Sequence, residues 1–279
     1  MQKRVVAIHD ISCFGKCSLT VALPIVSAAG IECSCIPTAV LSTHTGGFSG
    51  YTFRDLTEDI VPIADHWKKE NLSFDAVYTG YLGSVEQIDL VSRAIDTVKK
   101  DNTLLIVDPV MADFGRLYGG FTADFPKEMT RLCAKADIIT PNITEASFMT
   151  DIPYAEAPHT KEYIESLICG LRKITNAKTV LTGVCFKSGE IGVACGDGNN
   201  TEYIFTPQVD AVYHGTGDVF ASALTASILN GKSLNTAAHI AAKFTESCIK
   251  RTKAEMPDVR YGVNFEAEIP TLLKLLDKI

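Results

Sequence analysis

Apolar and polar positions come in blocks along this chain, and the period of the blocks changes in a regular order. Arg4–His9 is a short apolar run closed by the polar pair His9-Asp10, and it predicts a first strand. After a loop containing Gly15, Ser18–Ala29 places Leu19, Leu23 and Val26 on one helical stripe, with Gly30 just past its end. Glu32–Pro37 predicts a second strand. Leu56, Ile60, Ile63 and Trp67 then recur at helical spacing, which predicts a helix over 56–67. Ala76–Gly80 predicts strand three and Val85–Lys99 another helix. Leu104–Asp108, Ile138–Thr140 and Lys178–Thr182 predict strands four to six, the first of them an unbroken apolar run that ends in Asp-Pro. Continuous apolar strands alternating with helices predict an α/β fold, a three-layer sandwich whose mostly parallel central sheet is covered on both faces.

Beyond residue 188 the pattern changes. Gly189–Cys195 and Thr201–Phe205 flank Gly196-Asp197-Gly198-Asn199-Asn200, a hairpin signal. Helices are predicted over 218–229, 234–252 and 270–278. With no internal repeat, low-complexity tract or linker in its 279 residues, the chain is expected to form one domain over 1–279.

Composition narrows the functional classes. A net charge of −7 and the lack of a basic block argue against a nucleic-acid surface. No apolar run approaches membrane-spanning length, and Val5–Ile8 is too short for a secretion signal, so a cytoplasmic protein without a membrane partner is expected. The nine cysteines are odd in number and include no CxxC pair, so a disulfide framework is not expected and most of them read as small buried hydrophobes, with no metal assigned to any.

The candidate chemistry gathers at strand ends. In an open parallel sheet, ligands bind beyond the carboxyl ends of the strands. Here those ends carry His9-Asp10, Gly80-Tyr81, Asp108, Asn142 with Glu145 one turn on, and Thr182. Each alone has a structural explanation: Asp-Pro and Pro-Asn form turns, and Glu145 completes a capping box with Asn142 or Thr144. A further segment, Gly215-Thr216-Gly217-Asp218, opens the apolar helix Val219–Leu224. Two glycines permit a tight turn, and the first amides of a helix attract anions, phosphate above all. Acidic groups beside a phosphate cradle call for a cation, which Mg²⁺ on a nucleotide supplies with few protein ligands.

Asp108-Pro109-Val110-Met111, Thr140-Pro141-Asn142 with Glu145, and His214-Gly215-Thr216-Gly217-Asp218 together resemble the ribokinase-like superfamily. Ser42-Thr43-His44-Thr45-Gly46 and Thr79–Ser84 resemble its pyridoxal (vitamin B6) kinase branch. The resemblance covers nearly the whole chain and implies ATP-dependent phosphorylation of the 5′-hydroxymethyl group of pyridoxal, pyridoxine or pyridoxamine. It implies Asp218 as general base, with Gly215, Thr216 and Gly217 as the anion hole for the γ-phosphoryl group. It places Asp108 and Glu145 near the phosphates and Mg²⁺, and Asn142, Thr182 and His214 about the ATP site. His214 is equally readable as an exposed turn residue. Asp10, His44, Thr45 and Tyr81 are implied in the vitamer pocket, and Asp113 and Tyr118 in a flap above it. A homodimer is implied, with 33–37 as a candidate contact, while the use of a monovalent cation stays open.

An aspartate at its ordinary pKa of about 3.9 is ionised at neutral pH and can accept the alcohol's proton. The branch commonly carries serine where this chain has Asp10, and a carboxylate can only accept hydrogen bonds. Asp10 therefore favours a protonated ring nitrogen or the amine of pyridoxamine. Two other readings stand beside this one: a hydroxymethylpyrimidine kinase of thiamine synthesis, and a nucleotide-binding module without turnover.

Overall fold

Strand β1 is built from residues that must be hidden on both sides. Val5 and Ala7 face one apolar cluster and Val6 and Ile8 the other, and all four are fully buried. That two-sided burial follows from the uninterrupted apolar run, and each fully buried Val or Ile contributes about 1.5–3 kcal/mol. The computed structural model describes residues 2–196, 200–255 and 258–279.

The first part of the chain forms β1 (Arg4–Ser12), α1 (Leu19–Ala28), β2 (Glu32–Leu41), β3 (Phe53–Asp55), α2 (Thr57–Lys69), β4 (Ala76–Thr79), α3 (Val85–Val98) and β5 (Leu104–Val107). A hairpin, β6 (Ala112–Asp113) and β7 (Arg116–Leu117), leads into α4 (Phe125–Cys133), β8 (Ile138–Ile139), α5 (Ile143–Thr150), α6 (Lys161–Ile174) and β9 (Lys178–Val184). The last part holds β10 (Glu190–Gly196), β11 (Thr201–Pro207), α7 (Thr216–Leu229), α8 (Leu234–Glu255) and α9 (Ile269–Leu275). Nine strands form one sheet in the order β11-β10-β9-β8-β5-β4-β1-β2-β3. Its six central strands, β9 to β2, run parallel, while β10 and β11 at one edge and β3 at the other are antiparallel. Helices α1, α7, α8 and α9 cover one face, and α2, α3, α4, α5 and α6 the other. The expected three-layer arrangement is therefore present.

Several differences from the sequence reading have local causes. β1 runs past His9 to Ser12, with a register shift between His9 (opposite Pro37) and Ile11 (opposite Val40). Two residues of β2 thus oppose Asp10, a bulge that re-aims a side chain at the rim of the sheet. Helices α4, α5 and α6 occupy stretches for which no element is predicted above. The 190–196 and 201–207 strands pair antiparallel as expected, while residues 197–199 of the turn lie outside the described residues. The reading of most cysteines as small buried hydrophobes is corrected: Cys133, Cys185, Cys195 and Cys248 are buried, but Cys17, Cys33 and Cys35 are only partly covered and Cys13 and Cys169 are exposed, because they lie in a loop, on an outer strand and on an outward helix position.

Candidate active site

The site begins where α7 begins. Gly215 adopts a left-handed conformation (φ 78°, ψ 2°), and a Cβ there would collide with the carbonyl oxygen of Lys16. Glycine is thus required twice, by its dihedral and by the close approach of a neighbouring chain. At Gly217 nothing lies within 4 Å of where a Cβ would stand, so this side of the helix start is open. The Gly215 carbonyl accepts the Val219 amide at 3.0 Å, and the hydroxyl of Thr216 reaches back to the Tyr213 carbonyl at 3.4 Å. Most of α7 from Val219 to Ser227 is buried between α1 and α8, which fixes where its first turn points.

Asp218 lies in that first turn. Burial pushes its carboxyl up to about 7, with the nearby Asp10 adding to the rise and the backbone of Ser18 opposing it. The sequence expectation of an unperturbed carboxylate is corrected here: the desolvation that surrounds the helix start penalises the charged form. Asp108, at the end of β5, is buried and accepts the hydroxyl of Thr140 at 3.0 Å. Its carboxyl is also pushed well above the ordinary range, by burial first and then by Asp218, so the two acids stand within electrostatic reach of each other.

Glu145 carries the capping box. Its side chain accepts the amides of Asn142 (2.8 Å) and Met111 (3.1 Å), while Asn142 Oδ1 accepts the Glu145 amide (2.9 Å). Burial and Asp108 raise its carboxyl despite those two donors. Asn142 also donates through Nδ2 to the Ala112 carbonyl at 2.8 Å, so its amide anchors β6 from below. Thr182 pairs with Asn142 across the ends of β9 and β8, its amide on the Pro141 carbonyl at 2.9 Å.

On the opposite side of Asp218, Asp10 is buried with both oxygens engaged, by Ser12 Oγ at 3.0 Å and Ser18 Oγ at 2.5 Å. Burial also raises its carboxyl. Tyr81 is partly buried near Asp10 and Tyr51, with its ring 5.7 Å from that of Phe121. His9 is fully buried edge-on against Tyr78, and burial pulls it down to about 3, so it is a neutral wall residue.

His44 turns out to be a latch. The amide of Gly46 donates to its Nδ1 at 3.0 Å, so Nε2 carries the proton and donates to the Arg260 carbonyl at 2.6 Å. Neither nitrogen is left for a ligand, and the ring contributes its faces, towards Phe48 and His214. Thr45 is exposed between His44 and Gly46, both of which abut His214. His214 is exposed beside the helix start and lies near Asp113. Asp113 and Tyr118 sit on the small hairpin β6–β7 and just beyond it; its tip amide, Gly115, donates to Thr144 Oγ1 at 3.1 Å. The structure therefore gathers the expected residues around one rim. It adds two groups that the sequence did not single out, Ser18 and the 258–262 segment.

A profile of the phosphomethylpyrimidine kinase family matches residues 23–263. Among solved structures, a Bacteroides thetaiotaomicron protein, provisionally described as a phosphomethylpyrimidine kinase and crystallised with pyridoxal, is 38% identical with a TM-score of 0.91, covering 98% of this chain and 96% of that one. Pyridoxal kinase from Lactobacillus plantarum is 30% identical with a TM-score of 0.91, over 99% of this chain and 98% of its own. The hydroxymethylpyrimidine/phosphomethylpyrimidine kinase of Bacillus subtilis is 31% identical over 222 residues, 77% of either protein. The chain belongs to the phosphomethylpyrimidine kinase family, in the pyridoxal kinase branch of the ribokinase-like superfamily.

Proposed function

We propose that this chain transfers the γ-phosphoryl group of ATP to the 5′-hydroxymethyl oxygen of a B6 vitamer, with Asp218 as the general base. The observation that carries the reading is the helix start at 215–218, glycine-lined and open, with Asp218 in its first turn and Asp108 in electrostatic reach. In the step, the alcohol oxygen bonds to the γ-phosphorus, the bond from phosphorus to the departing ADP oxygen breaks, and the alcohol proton passes to Asp218. Such transfer needs alignment and charge neutralisation more than covalent help. The amides of residues 215–217 supply donors, and Asn142, Thr182 and His214 frame the nucleotide side. Thr45, Tyr81, Asp10 and the faces of His44 frame the acceptor.

Mg²⁺ fits the donor set: Asp108 and Glu145 are hard oxygen ligands, both buried, and Asp108 adds to the cost of ionising Glu145. When bound with ATP, the ion neutralises charge on the phosphate oxygens. The reading extends to a cytosolic homodimer. Residues 32–37 of β2 pair with β1, whereas β3 meets only Ala39–Leu41, which leaves an open strand edge among the described residues.

The second reading, a hydroxymethylpyrimidine kinase, is favoured by the matching family profile and by the Bacillus relative. A coupled ADP-release assay with Mg-ATP and each alcohol separates the two. The proposal expects higher kcat/KM for at least one B6 vitamer than for hydroxymethylpyrimidine. Turnover of the pyrimidine alone establishes the second reading, and no ADP release with any alcohol establishes a non-catalytic module. In the same assay, Asp10→Ser is expected to change the ratio of kcat/KM among pyridoxal, pyridoxine and pyridoxamine; unchanged ratios remove Asp10 from acceptor recognition.

A further inference from the structure

Ser84 and Gln87 stand in the spacing of a capping box at the start of α3, in which each side chain serves the other's backbone. The first half of that box forms, with Ser84 Oγ accepting the Gln87 amide at 3.1 Å. The return bond goes elsewhere: Gln87 Oε1 accepts the amide of Gly83 at 2.7 Å, one residue ahead of the cap. Gln87 Nε2 donates twice, to the Thr38 carbonyl on β2 and to Thr57 Oγ1 in the first turn of α2, both at 3.0 Å. With its oxygen on a donor and both N–H groups on acceptors, this amide fits in one orientation. The residue is buried, with 1% of its surface exposed, and a helix cap uses neither bond to β2 and α2. The loop so held carries Tyr81. At its start the Gly80 amide donates to the Ile8 carbonyl at 3.2 Å, and a Cβ on Gly80 would run into the His9 ring. Leu82 is fully buried in the apolar cluster beneath. At its end the Tyr81 ring lies against Gly83, with Cε1 3.9 Å from where a Cβ would stand.

We propose that Gln87 is a positioning residue for acceptor recognition: its amide clamps the 80–84 loop to β2 and α2 and so holds the Tyr81 ring at the rim of the vitamer pocket. This rests on Tyr81 framing the acceptor, as proposed above. The contact of Tyr81 with Phe121, 5.7 Å between centroids, joins two side chains and does not fix the backbone that carries Tyr81. Fixing that backbone falls to Gly80, Leu82 and Gly83, and the Gly83 end hangs on one side chain. Without the amide, the Gly83 N–H loses its partner inside the protein. A half-buried donor left unpaired is costly, so the loop shifts until water reaches it. The frame outlasts the same loss, because the Thr38 carbonyl keeps the Leu56 amide at 3.0 Å and α3 keeps its Ser84 cap.

Gln87→Met keeps the length of the side chain and removes all three of its hydrogen bonds. kcat/KM for pyridoxal is expected to fall about 10- to 100-fold, the scale of an ångström-sized misplacement, while KM for ATP stays at the parental value. Thermal melts check that the variant folds. If it does not, Thr57→Val, which removes one anchor at almost constant shape, takes its place with a smaller fall expected. A double-mutant cycle with Tyr81→Ala separates positioning from general support of the fold. If Gln87 acts through the ring, its substitution lowers kcat/KM by less than about twofold once the ring is gone. Parental kcat/KM for pyridoxal in the Tyr81-containing variant overturns the proposal. An equal fall in the Tyr81→Ala background also overturns it, since that is what a purely structural role gives. A parent that phosphorylates no alcohol refutes the functional reading instead. The clamp is then judged by fluorine NMR of protein labelled with meta-fluorotyrosine, the Tyr81 resonance being assigned with Tyr81→Phe. The substitution is expected to shift or broaden that resonance and to leave those of Tyr163 and Tyr203, on α6 and β11, in place. An unchanged Tyr81 resonance overturns the proposal.

Discussion

Burial sets the character of each carboxyl at this site. Asp10, Asp108, Glu145 and Asp218 all carry pKa values raised above the ordinary range, first because desolvation penalises their charged forms. For Asp218 the folded value is about 7 against 3.8 for the free side chain, so above about pH 4 the unfolded chain gives up its proton more readily than the folded one. Stability is therefore lost as pH rises towards 7, and a neutral isostere removes that loss. Asp218→Asn is expected to raise the Tm of the ligand-free protein, by more at pH 8 than at pH 5, in parallel thermal melts. A variant melting at or below the parent at pH 8 contradicts the assigned burial. The same raised value places the base near half ionisation at neutral pH, so kcat/KM is expected to climb through about pH 7 and level off above it. Asp218 itself was legible in the sequence from its place after two glycines. Its pKa was not, because that depends on burial by the surrounding elements and on Asp10 of β1.

At the scale of elements, the site depends on how two helices start. Gly215 ends a loop and opens α7 with its Cα against the Lys16 carbonyl. Gly215→Ala adds a methyl to that contact at a positive φ, a conformation costing a non-glycine residue about 1–2 kcal/mol before any collision. The expected result is a fall in Tm of several degrees with kcat reduced by more than 100-fold, since the amides of 215–217 are displaced together. Thermal melts and steady-state kinetics on the same preparation check this, and parental kcat excludes the turn from phosphate binding. Helix α5 is the other case. Asn142 and Glu145 form its capping box as the sequence suggested, yet the helix itself escaped notice because six of its eight residues are buried and no polar face marks its period. Helix α6 was legible in principle, with Ile164, Leu167, Ile168 and Leu171 at helical spacing and all buried. The hairpin strands β6 and β7 are two residues each, too short to show any alternation.

Across the whole molecule, the alternation of apolar strands and helices was enough to give the parallel sheet and its two covered faces, because that pattern is local. The closing of the site was not, because it joins distant segments. The 13–17, 42–48 and 258–262 loops meet through Phe14 against Phe48 and Tyr261, through the Lys16 amide on the Tyr261 carbonyl at 3.2 Å, and through His44 on Arg260. His44 and Arg260 are 216 positions apart, so no local spacing announces that bond. These loops wall the rim on which Asp10, Tyr81, Asp108 and Asp218 converge. The measurement that reaches the centre of the account is a single-turnover experiment: enzyme pre-loaded with Mg-ATP is mixed with pyridoxal and quenched at intervals to follow formation of the phosphorylated product. Asp218→Asn is expected to form product about 10²- to 10⁴-fold more slowly than the parent while binding ATP with the same affinity. Product formation at the parental rate in that variant contradicts the assignment of Asp218 as the base.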